Sequence, residues 1–119
     1  MKCLDTYALV ELHNGTPRFS GLLNEDAVIP DIIMAEFYGV LFRKMGLQTA
    51  DYWLRKLSYL CRPVSRDILI KAVRYRMENQ KERLSYFDCV GYIFALENGM
   101  KFVTGDPAFQ KREGVEWIK

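Results

Sequence analysis

Apolar residues in this chain form short clusters between stretches of helical period. Lys2 to Leu4 is brief and apolar and stops at Asp5-Thr6. That pattern predicts a strand followed by a helix over Tyr7 to Leu12, turning at Asn14-Gly15. Thr16-Pro17 places a capping hydroxyl before a proline at a first helical position, which predicts a further short helix over Arg18 to Leu23. Ala27, Val28 and Ile29 read as a buried strand, and Pro30-Asp31 opens a helix whose body, Ile32 to Met45, ends before Gly46. Thr49 is the expected cap of a helix from Ala50 to about Leu60, ended by Pro63. Arg66 to about Lys81 carries Ile68, Ala72, Val73 and Met77 near helical period, and Ser85 opens a helix over Tyr86 to Glu97, closed by Asn98-Gly99. Lys101 to Thr104 and Val115 to Ile118 have the length and the β-branched or aromatic content of strands.

Short strands alternating with helices predict an α/β fold with a short central parallel sheet surrounded by helices, since parallel neighbours need crossovers of a dozen or more residues. No internal repeat, low-complexity tract or long linker divides the chain, so residues 1–119 are expected to form one domain. In open parallel sheets, ligands bind beyond the carboxyl ends of the strands. Asp5 follows the first predicted strand directly, and Asp106 follows the strand ending at Thr104.

Two further acids stand out by position. Glu36 has Ile32, Ile33, Gly39 and Val40 as its helical neighbours, and Asp88 has Leu84, Ser85, Gly91 and Tyr92. Neither has a local lysine or arginine. A carboxylate turned toward a core without a cation must be protonated, paired through the tertiary fold, or bound to metal. Capping is the competing explanation for the other positions: Asp5 for the first helix, Asp106 for the turn at Pro107, and Ser85 with Asp88 as a capping box. Glu36 lies a full turn inside its helix and has no such role. Two acids at strand ends and two on inward helix faces together predict a convergent cluster of Asp5, Glu36, Asp88 and Asp106.

The charge balance changes meaning in that light. Seventeen Lys and Arg against fifteen Asp and Glu give a net charge of only +2, but with the four acids assigned to a site the remaining eleven leave a basic surplus of six. Carboxylates about 5 Å apart repel by roughly 3 kcal/mol per pair at an effective dielectric near 20. Such a cluster calls for cations. All-oxygen donors suit Mg²⁺ or Mn²⁺, and a single histidine, His13, leaves little scope for a histidine-rich zinc site. The chemistry expected there is phosphodiester hydrolysis. Thr6 and Thr104, each beside a site acid, are candidates for supporting hydrogen bonds to the carboxylates or the attacking water, with a purely structural role as the alternative. Lys71, Arg74, Arg76, Lys81 and Arg83 lead toward Asp88 with Tyr75 among them, so they are candidate RNA contacts; a solvated helix face balanced by Glu78 and Glu82 is the other reading. Cys3, Cys61 and Cys89 are odd in number and lie among apolar neighbours, which predicts reduced, buried thiols. No run is long and apolar enough to cross a bilayer, and a cytoplasmic location without membrane attachment is expected.

The residues Leu4-Asp5-Thr6-Tyr7-Ala8-Leu9, Glu36 in its apolar helix, Leu84-Ser85-Tyr86-Phe87-Asp88, and Val103-Thr104-Gly105-Asp106-Pro107-Ala108-Phe109 together resemble a PIN domain, particularly the toxin nucleases of the VapBC type. The resemblance spans nearly the whole chain. It implies a metal-dependent endoribonuclease site formed by Asp5, Glu36, Asp88 and Asp106, a homodimer, and a small antitoxin whose tail occupies a groove near the site. One departure is evident: the family often carries a further acidic residue shortly after the last aspartate, where this chain has Ala108. That leaves a second metal in question. Two other readings stay open, namely a PIN-like scaffold that binds RNA or protein with little turnover, and an RNA-processing nuclease without an antitoxin.

Overall fold

The structure, a computed structural model, describes residues 1–119. Five strands, β1 (Lys2–Leu4), β2 (Ala27–Pro30), β3 (Cys61–Arg62), β4 (Lys101–Thr104) and β5 (Val115–Trp117), form one parallel sheet in the order β3-β2-β1-β4-β5. The helices are α1 (Thr6–His13), α2 (Asp31–Met45), α3 (Leu47–Leu57), α4 (Arg66–Glu78) and α5 (Tyr86–Glu97). This is the expected α/β architecture with a short central parallel sheet.

Period-two alternation in the strands divides the core between the two faces of the sheet. Leu4, Ile29 and Val103 join side chains of α1, α2 and α3 in one cluster, while Cys3, Val28 and Phe102 join those of α4 and α5 in the other. The chain first builds outward from β1 through β2 to β3, then returns to the opposite side of β1 to lay down β4 and β5. The direction of construction therefore reverses between β1 and β4. Register across that junction pairs Cys3 with Phe102 and Leu4 with Val103, and the Asp5 N–H donates to the Val103 carbonyl at 3.2 Å. The crevice at this reversal, outside the carboxyl ends of β1 and β4, is where a fold of this class binds ligands.

Helix ends marked by local chemistry lie where the sequence puts them. Ser85 caps α5 by accepting from the Asp88 N–H at 3.1 Å, and the helix closes at Asn98 before Gly99, whose φ is +65°. Ser65 likewise caps α4, accepting from the Ile68 N–H at 3.2 Å. Other expectations need correction. Arg18 to Leu23 is not one helix but two single 3₁₀ turns, Pro17–Phe19 and Leu22–Asn24, separated at Ser20-Gly21 as Phe19 and Leu22 turn into the core. Thr49 caps nothing: Gly46, at φ +94°, reverses the chain and α3 starts at once at Leu47. Beyond Leu57 the helix tightens into a 3₁₀ turn, then enters β3, which has no sequence signal and exists by pairing Cys61 with Ile29 and Arg62 with Pro30. In α4, Ala72 is buried and Ile68 partly so, but Val73 and Met77 are 41% and 54% exposed; the buried stripe runs through Ile68, Ala72 and Tyr75 instead. The cysteines are all free, Cys3 and Cys89 fully buried and Cys61 only partly. No helix is long and apolar enough to cross a membrane.

Two glycines give opposite expectations. At Gly105, directly after β4, an added Cβ would lie 2.4 Å from Tyr7 Cε1 and 2.7 Å from the Ile118 carbonyl oxygen, so even a methyl displaces backbone. Gly39, exposed within α2, has nothing within 4 Å of that position. Gly105→Ala is expected to destabilise the fold by about 1–3 kcal/mol. Gly39→Ala should stabilise it by up to about 1 kcal/mol. Urea denaturation of both variants beside the parent measures the two signs; a stable Gly105→Ala protein would contradict the close packing at β4.

Candidate functional site

Each of the four acids is placed by a different element. Asp5 ends β1 and caps α1, accepting from the Ala8 N–H at 2.9 Å through Oδ1. Asp106 follows β4 and caps the 3₁₀ turn Pro107–Phe109, its Oδ1 accepting from the Ala108 N–H at 3.0 Å. Asp88 stands in the first turn of α5, and Glu36 in the second turn of α2. The capping explanation and the site explanation thus coexist, because a cap occupies one carboxylate oxygen and leaves the other available.

The four charges feel one another. Asp5 is raised by Asp88 and Asp106, Glu36 by Asp88, and Asp88 by Asp106. Asp5 is only 1% exposed, and its pKa is pushed up to about 7, chiefly by burial, against the opposing hydrogen bonds of Thr104 and the Ala8 N–H. Burial is also the main cause of the upward shifts of Glu36 and Asp88, opposed by Thr6 and Ser85 respectively. None of the four acids pairs with a lysine or arginine. The ion pairs of the molecule are elsewhere, joining Lys2 to Glu25 and Glu116, Lys71 to Asp67 and Glu97, and Arg112 to Glu82.

The two threonines touch these acids. The Thr6 hydroxyl donates to Glu36 Oε1, joining α1 to α2. Thr104, completely buried, lies against Asp5 and accepts from the Asp106 N–H at 3.0 Å, bridging the strand-end acids. An all-oxygen set of uncompensated carboxylates has the donor chemistry of a hard divalent cation site. The arrangement is open: no three His, Cys, Asp or Glu side chains lie close enough to enclose an ion. Such a donor set suits a cation that keeps several waters, as Mg²⁺ usually does.

The five basic candidates separate. Lys71 is drawn into pairs with Asp67 at 3.2 Å and Glu97 at 2.5 Å, away from the acids. Arg74 and Lys81 are exposed, while Arg76 is half-buried, its Nε donating to the Leu84 carbonyl at 2.8 Å. Arg76 and Arg83 share a hollow at the α4–α5 connection.

Two residues beside the site carry no sequence signal at all. Arg112 donates from Nε to the Ala108 carbonyl at 3.1 Å, reaches the Tyr75 hydroxyl and Glu82, and so braces the Asp106 turn against α4 and the chain beyond it. Trp117, in β5, donates its indole N–H to the Asp106 carbonyl at 3.1 Å. A hollow of about 490 Å³ lies elsewhere, between α2 and α3, lined mainly by apolar side chains including Met34, Tyr38 and Leu54.

Among solved structures, the chain is similar to the Mycobacterium tuberculosis toxin VapC20, described as cleaving the sarcin-ricin loop, with TM-score 0.83 at 18% identity over 100% of both chains. It is similar to a chain of the DNA-bound VapBC of Salmonella typhimurium, with TM-score 0.77 at 16% identity over 99% of this chain and 98% of that one. A toxin-antitoxin complex from Klebsiella pneumoniae gives TM-score 0.75 at 20% identity over 98% and 96%. At these identities the likeness establishes the fold. No curated protein matches the sequence. The PIN domain family model matches residues 2–115, nearly the whole chain, and with the β1–β4 crevice and its acids in place the chain belongs to the PIN domain family.

Proposed function

We propose that this chain is an endoribonuclease that hydrolyses RNA phosphodiester bonds with Mg²⁺ or Mn²⁺ held by Asp5, Glu36, Asp88 and Asp106, and that it is the toxin of a toxin-antitoxin pair. The observation that carries the reading is the convergence of four carboxylates, none with a cationic partner, at the carboxyl ends of β1 and β4. A hard divalent cation bound there would supply charge neutralisation at the phosphate and a more acidic water. The chain's own groups do the positioning. Thr6 holds Glu36, Thr104 holds Asp5 and the Asp106 backbone, Ser85 holds Asp88, and the Ala108 N–H holds the Asp106 carboxylate, so each carboxylate is aimed by a hydrogen bond before any substrate arrives. Burial of Asp5 keeps bulk water from its carboxylate and keeps its proton affinity near neutral in the absence of a cation.

The antitoxin part of the reading is supported by the apolar α2–α3 hollow and the half-exposed Phe42, its ring tilted against Tyr38 at 6.4 Å, a surface suited to an apolar segment of a partner. The Klebsiella and Salmonella structures are of toxin-antitoxin assemblies, which fits the same reading. A second reading, a PIN-like scaffold with little turnover, is favoured by two features, the neutral Ala108 two residues after Asp106 and the open arrangement of the acids.

Two outcomes separate these readings. Asp5→Asn and Asp88→Asn keep a capping or polar side chain but lose a charge, and each is expected to reduce Mn²⁺-dependent RNA cleavage at least a hundredfold with the fold intact by circular dichroism. Variants that cleave like the parent, or a parent that neither cleaves RNA nor takes up Mn²⁺ in calorimetry, would end the nuclease reading. The second outcome concerns pH. Asp5, Glu36 and Asp88 have higher pKa values folded than unfolded, so the native state binds more protons, and metal-free stability should fall as pH rises from about 4 to about 7. With each pKa unit worth about 1.4 kcal/mol, the loss from Asp5 alone is on the order of a few kcal/mol. Mn²⁺ should restore stability at pH 7.5 in the parent but much less in Asp88→Asn, a comparison readable from thermal midpoints.

A further inference from the structure

The hollow between the end of α4 and the start of α5 is lined by Arg76, Gln80, Arg83 and Leu84 and has a volume of about 300 Å³. That is some ten times the roughly 30 Å³ share of a water molecule in the liquid, and enough for a phosphodiester group. Its two arginines have no acidic partner. Glu82, the acid nearest in sequence, is turned aside into its pair with Arg112, and Lys71 takes up Asp67 and Glu97. Arg76 is held in place by its Nε bond to the Leu84 carbonyl at 2.8 Å, which leaves its terminal nitrogens free. Arg83 has φ +55°, the only non-glycine residue in the left-handed region, so the backbone adopts an unfavourable conformation where this side chain joins the hollow.

An aromatic face adjoins the cations. The Arg76 guanidinium lies over the Tyr86 ring, 4.1 Å from its centroid, yet Tyr86 is still 46% exposed, so Arg76 covers the ring only in part. Tyr86 is the first residue of α5, and the neighbouring Ser85 hydroxyl accepts from the Asp88 N–H at 3.1 Å. Partnerless arginines, a solvent-exposed ring against one of them, and a helix start carrying a site acid therefore meet within Arg76 to Asp88 along the chain.

Building on the endoribonuclease reading above, we propose that this hollow binds a backbone phosphate of an unpaired RNA segment through Arg76 and Arg83 while the exposed Tyr86 ring stacks on an adjoining base. Stacking requires a base released from its helix, so the feature selects single-stranded or loop RNA over duplex. A phosphate anchored here fixes the strand's register relative to Asp88. Arg76 and Tyr86 act as one unit, since a guanidinium already lying on the ring orders it before the base arrives and adds a cation–π interaction.

Binding of fluorescein-labelled RNA in EDTA, followed by anisotropy over a range of KCl concentrations, tests the proposal without cleavage. The probes are a twelve-nucleotide single strand and a blunt duplex containing it. Tyr86→Ala should weaken single-strand binding about tenfold, with Tyr86→Phe near the parent and duplex binding unchanged. Arg83→Gly removes the cation while relieving the left-handed backbone, so a folding defect does not confound it; it should lower the salt slope for the single strand by about 0.7. Arg83→Lys should restore most of that slope. Intact RNA binding with both Tyr86→Ala and Arg83→Gly at parent affinity and slope would overturn this proposal and leave the nuclease reading standing. The proposal is likewise overturned if the two variants lose only the binding of an acidic peptide, which would make the hollow a protein contact. A parent that binds neither RNA probe overturns both.

Discussion

Pairing between β1 and β4 is the contact on which the rest of the molecule depends. Three residues near the amino end lie beside a strand about a hundred residues later, and the hydrogen bond from the Asp5 N–H to the Val103 carbonyl fixes the first acid against the second strand's end. Each face of the sheet then receives its own helices, and each face brings one more acid to the crevice: Glu36 from α2, Asp88 from α5. Without that pairing, β2 and β3 on one side and β5 on the other would have no common centre. The close fit of Gly105 between Tyr7 and the Ile118 carbonyl shows how little slack remains around the junction.

The arrangement gathers like charges at the very place where the chain folds back on itself. Burial and mutual repulsion raise three of the acids, and the molecule answers with hydrogen bonds from Thr6, Thr104, Ser85 and two helix-cap N–H groups rather than with lysine or arginine. The paired cations lie elsewhere. Lys2 and Lys71 each bridge two carboxylates, and Arg112 braces the Asp106 turn from behind. A negative crevice beside the uncompensated arginines of the α4–α5 connection has the polarity needed to admit a cation at one point and an anionic backbone at the next.

How much of this was legible in the sequence depended on whether the cause was local. Ser85 and Asn98-Gly99 mark the ends of α5 through chemistry contained within a few residues, and the short apolar runs of β1 and β4 are visible in the strands themselves. Glu36 and Asp88 could be picked out because neither has a lysine or arginine at helical pairing distance, and Glu36 because no capping role accounts for it; Asp5 and Asp106 stood out by their places directly after strands. What was hidden came from distant partners. β3 is two residues stabilised by pairing with β2, and α3 begins at Leu47 because Gly46 turns the chain, although Thr49 has the better capping side chain. Val73 and Met77 satisfy a helical period that fits either side of α4; packing against α5 through Ala72 and Tyr75 decided which side is buried. Arg112 and Trp117 gain their roles near Asp106 only after β5 is docked, and Lys71 is drawn off by Glu97, twenty-six residues away.

The sheet order also bears on when the molecule can become competent. β1 is the first strand made and the central one, yet its neighbour on one side is β4, nearly the last. During synthesis the early residues can pair with β2 and collect α1 to α3, but the crevice lacks its second wall until β4 and the Asp106 turn have been made. Long-range parallel pairings of this kind form late because loop closure precedes any reward. A half-made domain therefore holds a folded shoulder of the sheet and an unfinished crevice, and Asp5 meets Asp106 only once β4 has been laid against β1.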